Sequence, residues 1–283
     1  MKALEPSWRL LLPRQFLTIH EVAKSVYRPL GTCQTRMLSL TAGSQGDNLV
    51  TKLYTVTLEP NKARSLVLGD IVYTALSYAW GTLDRTCILH LDGFCFPITL
   101  NLWNALQRPR SASGDRYLWV DAICINQCNT AERSQQVTMM TTIYRSASIV
   151  IAWLGDYEDH SVRALNALTY SSTHFAGSAK REHHVVCRET VGLGLQDLYS
   201  RPWLSRLWVR REVWAARKLM VMCGSHQLSR QQYRNSPSIE FKKEEHLLVP
   251  LLSLDSLVHL PPPAEIPRRS DRHSGCIAWK CSV

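Results

Sequence analysis

The sequence predicts an α/β protein built on a mostly parallel sheet flanked by helices, with additional hairpin strands. Two short runs, Tyr117–Ile125 and Ser148–Gly155, are apolar on both faces, as strands buried inside a parallel sheet are. Between them Val137, Met140, Ile143, Tyr144 and Ala147 recur at helical spacing. Strand, helix and strand at these lengths make one βαβ unit, and such units build sheets of parallel strands. A third observation adds the hairpin: Asp92-Gly93 stands between apolar arms that run from Leu89 to Thr99.

The remaining elements follow in chain order. Residues 1–26 read as an irregular segment. Arg36–Leu40 reads as a short strand, and Leu53–Leu58 alternates with the period-two pattern of a half-buried one. Gly43, Ser44, Gly46 and Asp47 supply the turn between them. Tyr73–Gly81 is an apolar strand closed by a glycine, and Leu100–Leu106 is a helix with Thr99 as its cap. Asn129 lies three residues before Glu132, the spacing of a capping box at the start of the long helix. A further helix is expected near Ser161, and a polar loop with His183 and His184 after it. Trp203–Lys218 reads as a helix with Pro202 in its first turn, and Leu219–Gly224 as a last strand. Residues 225–283 are polar, then apolar, and are not expected to form an independent domain.

Composition narrows the function classes. A chain of 283 residues with 45% hydrophobic and 20% charged residues can bury a core, which excludes disordered and fibrous classes. No apolar run reaches the roughly 18 residues of a membrane-spanning helix, so no membrane span is expected. Glu5, Pro6, Arg9, Pro13 and Arg14 interrupt the stretch where a signal peptide would need its apolar core, and a cytoplasmic location is expected. Nine scattered cysteines, an odd count, suit reduced thiols better than a disulfide framework. The net charge of +10 would suit an anionic partner, but no recognised nucleic-acid module accompanies it, and nucleic acid is not the expected ligand.

The blocks Tyr73–Gly81, Leu118–Gln127, Glu132-Arg133, Gln136-Val137, Met140, Ile143-Tyr144, Ala147, Trp153–Gly155 and Arg201–Glu212 resemble, in order, the heterokaryon incompatibility (HET) domain family of filamentous fungi. With Tyr27–Leu40 at the start, the resemblance covers residues 27–224. It implies a signalling domain that triggers programmed cell death on non-self recognition. HET domains are similar in predicted architecture to TIR domains, some of which hydrolyse NAD. The resemblance therefore implies a TIR-like fold and a possible NAD glycohydrolase, with NAD as substrate and no resident cofactor. In those TIR domains a helical glutamate follows a tryptophan by four residues, and Trp208 and Glu212 have that spacing, about one helical turn.

Glu212 is accordingly the candidate catalytic residue. Its own helix offers no cation three or four residues away, so any pairing cation must come from another element. Trp80, Asp121, Asn126, Gln127, Arg133 and Trp208 are the candidate substrate-binding residues. Asp121, Asn126 and Gln127 follow an expected strand, where open α/β sheets gather ligands; a structural carboxylate satisfied by backbone groups or by Arg133 is the alternative for Asp121. Most of the matched tryptophans are expected in the core. No metal site is expected: Cys124 and Cys128 lack the CxxC spacing, and His183, His184 and Cys187 have no second cluster. Gly192-Leu193-Gly194 lacks a third glycine and reads as a turn. The other functional class that stays open is a non-catalytic, self-associating interaction module, a truncated or inactive family member. Arg211, standing where the family commonly has Gln, and a short tail favour it.

Overall fold

The computed structural model describes residues 19–59, 62–65, 69–82, 84–156, 197–198, 200–206 and 208–229. A helix, α1 (Ile19–Val26), comes first and buries Val22, Ala23 and Val26 in the core. It corrects the expectation that residues up to 26 are irregular; eight residues are too few for a periodic pattern to stand out. Strands β1 (Gln34–Leu40) and β2 (Leu49–Glu59) then pair antiparallel, with Leu38 opposite Leu53. Along β2 buried and exposed positions alternate at both ends, the period read from Leu53–Leu58. Two short strands, β3 (Lys62–Ser65) and β4 (Gly69–Ile71), extend the sheet antiparallel beyond β2.

Next comes β5 (Thr74–Tyr78), and then the hairpin of β6 (Cys87–Leu91) and β7 (Phe94–Ile98). Asp92 (φ 49°) and Gly93 (φ 85°) both occupy the left-handed region that the tight hairpin turn requires. The hairpin hangs on the start of β2, where Leu89 lies opposite Leu49 in parallel. In α2 (Leu100–Gln107) the Thr99 hydroxyl accepts from the amide of Leu102, as its capping role demands.

The run Tyr117–Ile125 divides where one strand is expected. Strand β8 (Arg116–Trp119) ends at Trp119, and Asp121–Cys124 forms a single helical turn, α3. An apolar run signals burial, which a strand and a buried turn satisfy equally, so periodicity could not locate the break. Helix α4 (Thr130–Ser146) starts on Asn129, whose side chain accepts from the amide of Glu132, and leads to β9 (Ile149–Trp153). Its stripe departs from the expected one. Val137 is exposed, while Glu132 and Gln136 are buried beside Ile143 and Tyr144.

The expected helix Trp203–Lys218 is shorter: Val209–Ala215 forms α5, and residues 201–206 make turns before it. Strand β10 (Leu219–Cys223) pairs parallel to β9, and β11 (His226–Ser229) closes that edge antiparallel, so the sheet continues past Gly224. The helix expected near Ser161, the loop with His183, His184 and Cys187, the Gly192–Gly194 turn and residues 230–283 lie outside the described residues.

The main path of the sheet runs β11-β10-β9-β5-β8-β1-β2-β3-β4. Along this path the neighbouring pairs β8–β5, β5–β9 and β9–β10 are parallel and the others antiparallel; off it, β6 lies parallel to β2. The sheet is therefore mixed rather than mostly parallel; the signal that both faces are apolar comes from its centre, and the outer strands are joined by short antiparallel connections. The expected βαβ unit is present as β8, α4 and β9, with β5 lying between its strands. Nearly every residue of β5, β9 and β10 is buried, so both faces of the parallel centre are covered. Among the described residues no helix is long and apolar enough to cross a membrane.

An ion pair joins the two halves of this architecture. Arg36 on β1, 2% exposed, faces Glu132 at the start of α4, with Nη1–Oε1 at 2.6 Å and Nη2–Oε2 at 3.1 Å. The guanidinium also donates to the carbonyls of Cys124 (3.1 Å) and Arg28 (2.5 Å) and lies over the Tyr27 ring. Glu132 therefore does not return to the Asn129 amide as a full capping box would; its Oε1 accepts from the amide of Asn126 at 2.7 Å. Removing one partner would leave the other charge buried and unmatched. Glu132→Ala is expected to cost about 3–5 kcal/mol of stability, measured as a denaturant midpoint, whereas a matched apolar pair at both positions is expected to recover most of that loss.

Candidate functional site

The parallel strands end toward one edge, and a crevice opens there. In an open α/β sheet the carboxyl ends of the strands leave space between the connections that follow them. Here Trp80 follows β5, and Ala122, Asn126 and Gln127 follow β8; the opposite wall comes from Tyr27 after α1 and Phe96 on β7. The cavity inside the crevice measures about 50 Å³, and its mouth is open to solvent. Its walls are largely apolar and include the aromatic rings of Tyr27, Tyr78, Trp80 and Phe96, with Arg85, Asn126 and Gln127 among the polar groups. A flat ring with polar substituents matches that lining.

Four of the residues expected to bind substrate meet at this edge. Trp80, Asn126 and Gln127 line the crevice, and Asp121 lies directly behind it. The Trp80 indole N–H donates to Asp121 Oδ2 at 2.9 Å, the Ala122 amide donates to Oδ1 at 2.7 Å, and Gln127 Nε2 donates to the Asp121 carbonyl at 2.8 Å. Burial pushes the Asp121 carboxyl above the usual range, against the opposing pull of Arg206 and of the Trp80 and Ala122 hydrogen bonds. Its cation is thus Arg206, not Arg133, whose Nη2 donates to Thr130 Oγ1 on its own helix.

Glu212 lies on the other side of β5. Successive strand residues point to opposite faces. Tyr78 faces the crevice, and Ser77 faces α5, where its hydroxyl donates to Glu212 Oε2 and accepts the Trp203 indole N–H at 2.7 Å. Only 2% of Glu212 is exposed. Burial is the main cause that lifts its carboxyl from 4.5 to about 7; Arg206 and the Ser77 hydroxyl pull it down, and Asp121 pushes it up. Arg206 donates to the Tyr78 carbonyl at the end of β5, so one guanidinium acts on both carboxylates. A glutamate that titrates near neutrality can take up or give up a proton at working pH. Glu212 nevertheless does not line the crevice among its described walls.

Arg133 and Trp208 are not brought to the crevice. Trp208 precedes α5 with its ring exposed and Arg211 over it, while its carbonyl accepts from the Glu212 amide at 3.1 Å. Trp119, Trp153 and Trp203 are buried in the core, as expected of most of the matched tryptophans. Ser77 is a neighbour of Glu212 that the sequence did not single out; it sits inside a matched block, and a polar residue in a buried strand was the available signal. Among the described residues no group of three His, Cys, Asp or Glu side chains could hold a metal ion.

The comparisons with known proteins agree with these blocks. The model of the family described as Heterokaryon incompatibility protein (HET) matches residues 73–212, from the residue before β5 to Glu212 itself. Heterokaryon incompatibility protein 6, OR allele, of Neurospora crassa is 29% identical over 232 residues, which cover 67% of this chain and 33% of that protein. The chain spans about a third of the length of that relative. No solved structure matches it significantly. The matched stretch contains both carboxylates, Ser77, Trp80 and Arg206, and over these residues the chain is similar to the heterokaryon incompatibility (HET) family.

Proposed function

We propose that the chain is an incompatibility-type signalling domain of non-self recognition that triggers cell death, and that it does so by cleaving NAD, with Glu212 as the essential carboxylate. The observation that carries this is the arrangement at the end of β5. Glu212, buried on the far side of β5 with its carboxyl lifted to about 7, and Asp121, which stands behind the crevice, share Arg206 at the end of that strand. The parallel order β8-β5-β9-β10 supports the doubly wound, TIR-like architecture that the family likeness implies. Trp80, half-buried at the crevice wall, offers a face to the nicotinamide or adenine ring, and Asn126 and Gln127 offer amides to its substituents.

In the reaction, water adds to the anomeric carbon of the nicotinamide ribose. Nicotinamide leaves with the electron pair of the broken C–N bond, ADP-ribose keeps the hydroxyl, and the remaining proton of the water is released. Carboxylates serve such glycosidic cleavage by stabilising the oxocarbenium-like transition state. The protein to assay is the full chain, and the readout is nicotinamide released from NAD at high protein concentration. Turnover is expected in the wild type, and Glu212→Gln, similar in shape and able to keep the Ser77 contact, is expected to lower it at least about 100-fold. Equal turnover in the two would remove Glu212 from the reaction.

A second function has its own supporting observation. Glu212 is sealed against Ser77 and does not line the crevice, which suits a structural carboxylate in a self-associating, non-catalytic module. Folded wild-type chain without turnover would favour it. In either case the buried carboxyl marks the pH profile. The unfolded group titrates near 4.5 and the folded one near 7, so the folded state holds an extra proton between those values. The stability from this group is full below about 4.5, is lost as pH rises to about 7, and is level beyond. A descent of about 3 kcal/mol is expected across that window in denaturant titrations of the wild type, and its disappearance in Glu212→Gln.

A further inference from the structure

The outward side of α5 carries a surface that neither the crevice nor the core uses. Val209, Glu212 and Val213 face inward, which leaves Trp208, Arg210, Arg211 and Trp214 toward solvent. Trp208 is 38% exposed and Trp214 41%, large values for side chains of that size. Each ring is paired with an arginine: Arg211 lies over Trp208, and Arg145, in the last turn of α4, lies over Trp214, both at 5.3 Å from the ring centroid. Helices α4 and α5 pack against each other, so Arg145 and α5 form one continuous surface.

Its charge is one-sided. The only carboxylates in α4 and α5 are Glu132 and Glu212, and both are buried. What the two helices show to solvent is cationic, from Arg145, Arg210 and Arg211, and it continues into Arg217 and Lys218. Such a surface cannot pair with its own copy, because a two-fold contact would set arginine against arginine. A stacked nucleic-acid strand needs open ring faces, whereas here a guanidinium already lies over each ring. Tryptophan and arginine side by side are the residue types that dominate protein–protein contacts.

We propose that this face of α5, with Arg145, is a docking surface for an acidic protein segment in which carboxylates alternate with apolar side chains. The carboxylates would pair with Arg145, Arg210 and Arg211, and the apolar groups would cover Trp208 and Trp214. The surface lies on the side of β5 away from the crevice wall, so it serves the domain whether or not NAD is cleaved.

The test uses the full chain and a fluorescently labelled peptide that alternates glutamate with leucine, read by anisotropy at low salt. A lysine–leucine peptide and an oligothymidylate serve as comparison probes. Binding of the acidic peptide is expected, weakened at least about tenfold in Trp208→Ala/Trp214→Ala and in Arg145→Glu/Arg211→Glu. Arg116→Glu, an exposed arginine on β8, is expected to change it less than about twofold. Unfolding midpoints report whether each variant is folded, and Arg145→Ala/Arg211→Ala replaces any that is not. Absence of peptide binding to the folded wild type overturns the proposal. So does equal binding by the variants, tighter binding of the lysine peptide, or tighter binding of the oligothymidylate.

Discussion

A guanidinium with 2% of its surface exposed has to be matched by a carboxylate inside the protein, and much of this fold is arranged around that requirement. Arg36 sits on β1, in the antiparallel part of the sheet, and Glu132 opens the helix that carries the chain across the parallel part. Their ion pair also collects the carbonyls of Arg28 and Cys124 and the amide of Asn126. The end of α1, the turn after β8 and the start of α4 are thereby fixed to one point. Two of the crevice walls, Tyr27 and the Asn126–Gln127 loop, depend on it directly: Tyr27 lies against the guanidinium and donates to the Ile123 carbonyl, and Asn126 donates to Glu132.

The centre of the sheet then divides the chemistry. Because β5 turns alternate residues to opposite faces, Ser77 and Tyr78 serve different surroundings from adjacent positions. On one side Ser77 ties Glu212 to Trp203 in a buried cluster. On the other, Tyr78 and Trp80 bound a crevice behind which Asp121 is held by an indole N–H. Arg206 reaches the end of the strand and acts on both carboxylates, so changing the charge of one group changes the field felt by the other.

Much of this was legible in the sequence, for identifiable physical reasons. Asp92-Gly93 marks its turn because those residue types tolerate the left-handed backbone found there, and Thr99 and Asn129 cap their helices because their side chains reach the expected amides. The placing of Asp121, Asn126 and Gln127 at the carboxyl edge was anticipated from the apolar run before them. The errors are of another kind. Tyr117–Ile125 looked like one strand because burial is uniform along it, while the backbone turns helical at Asp121. Glu132 looked like half of a capping box, but its partner is Arg36, 96 residues away in sequence. Arg133 was the cation at hand for Asp121, yet Arg206 fills that place from a turn before α5. Long-range pairings of this sort leave no local periodicity to read.

If NAD is the substrate as proposed, the dinucleotide is expected to bind at the crevice on the carboxyl edge and not on the exposed tryptophan surface of α5. The indole N–H signals of a ¹⁵N-labelled full chain report on each tryptophan separately, and Trp80 is the one whose N–H stands at the crevice wall, bonded to Asp121. Titration with NAD is expected to move the Trp80 signal to saturation and to leave Trp214 in place. An unmoved Trp80, or a Trp214 that shifts in its stead, would contradict the account.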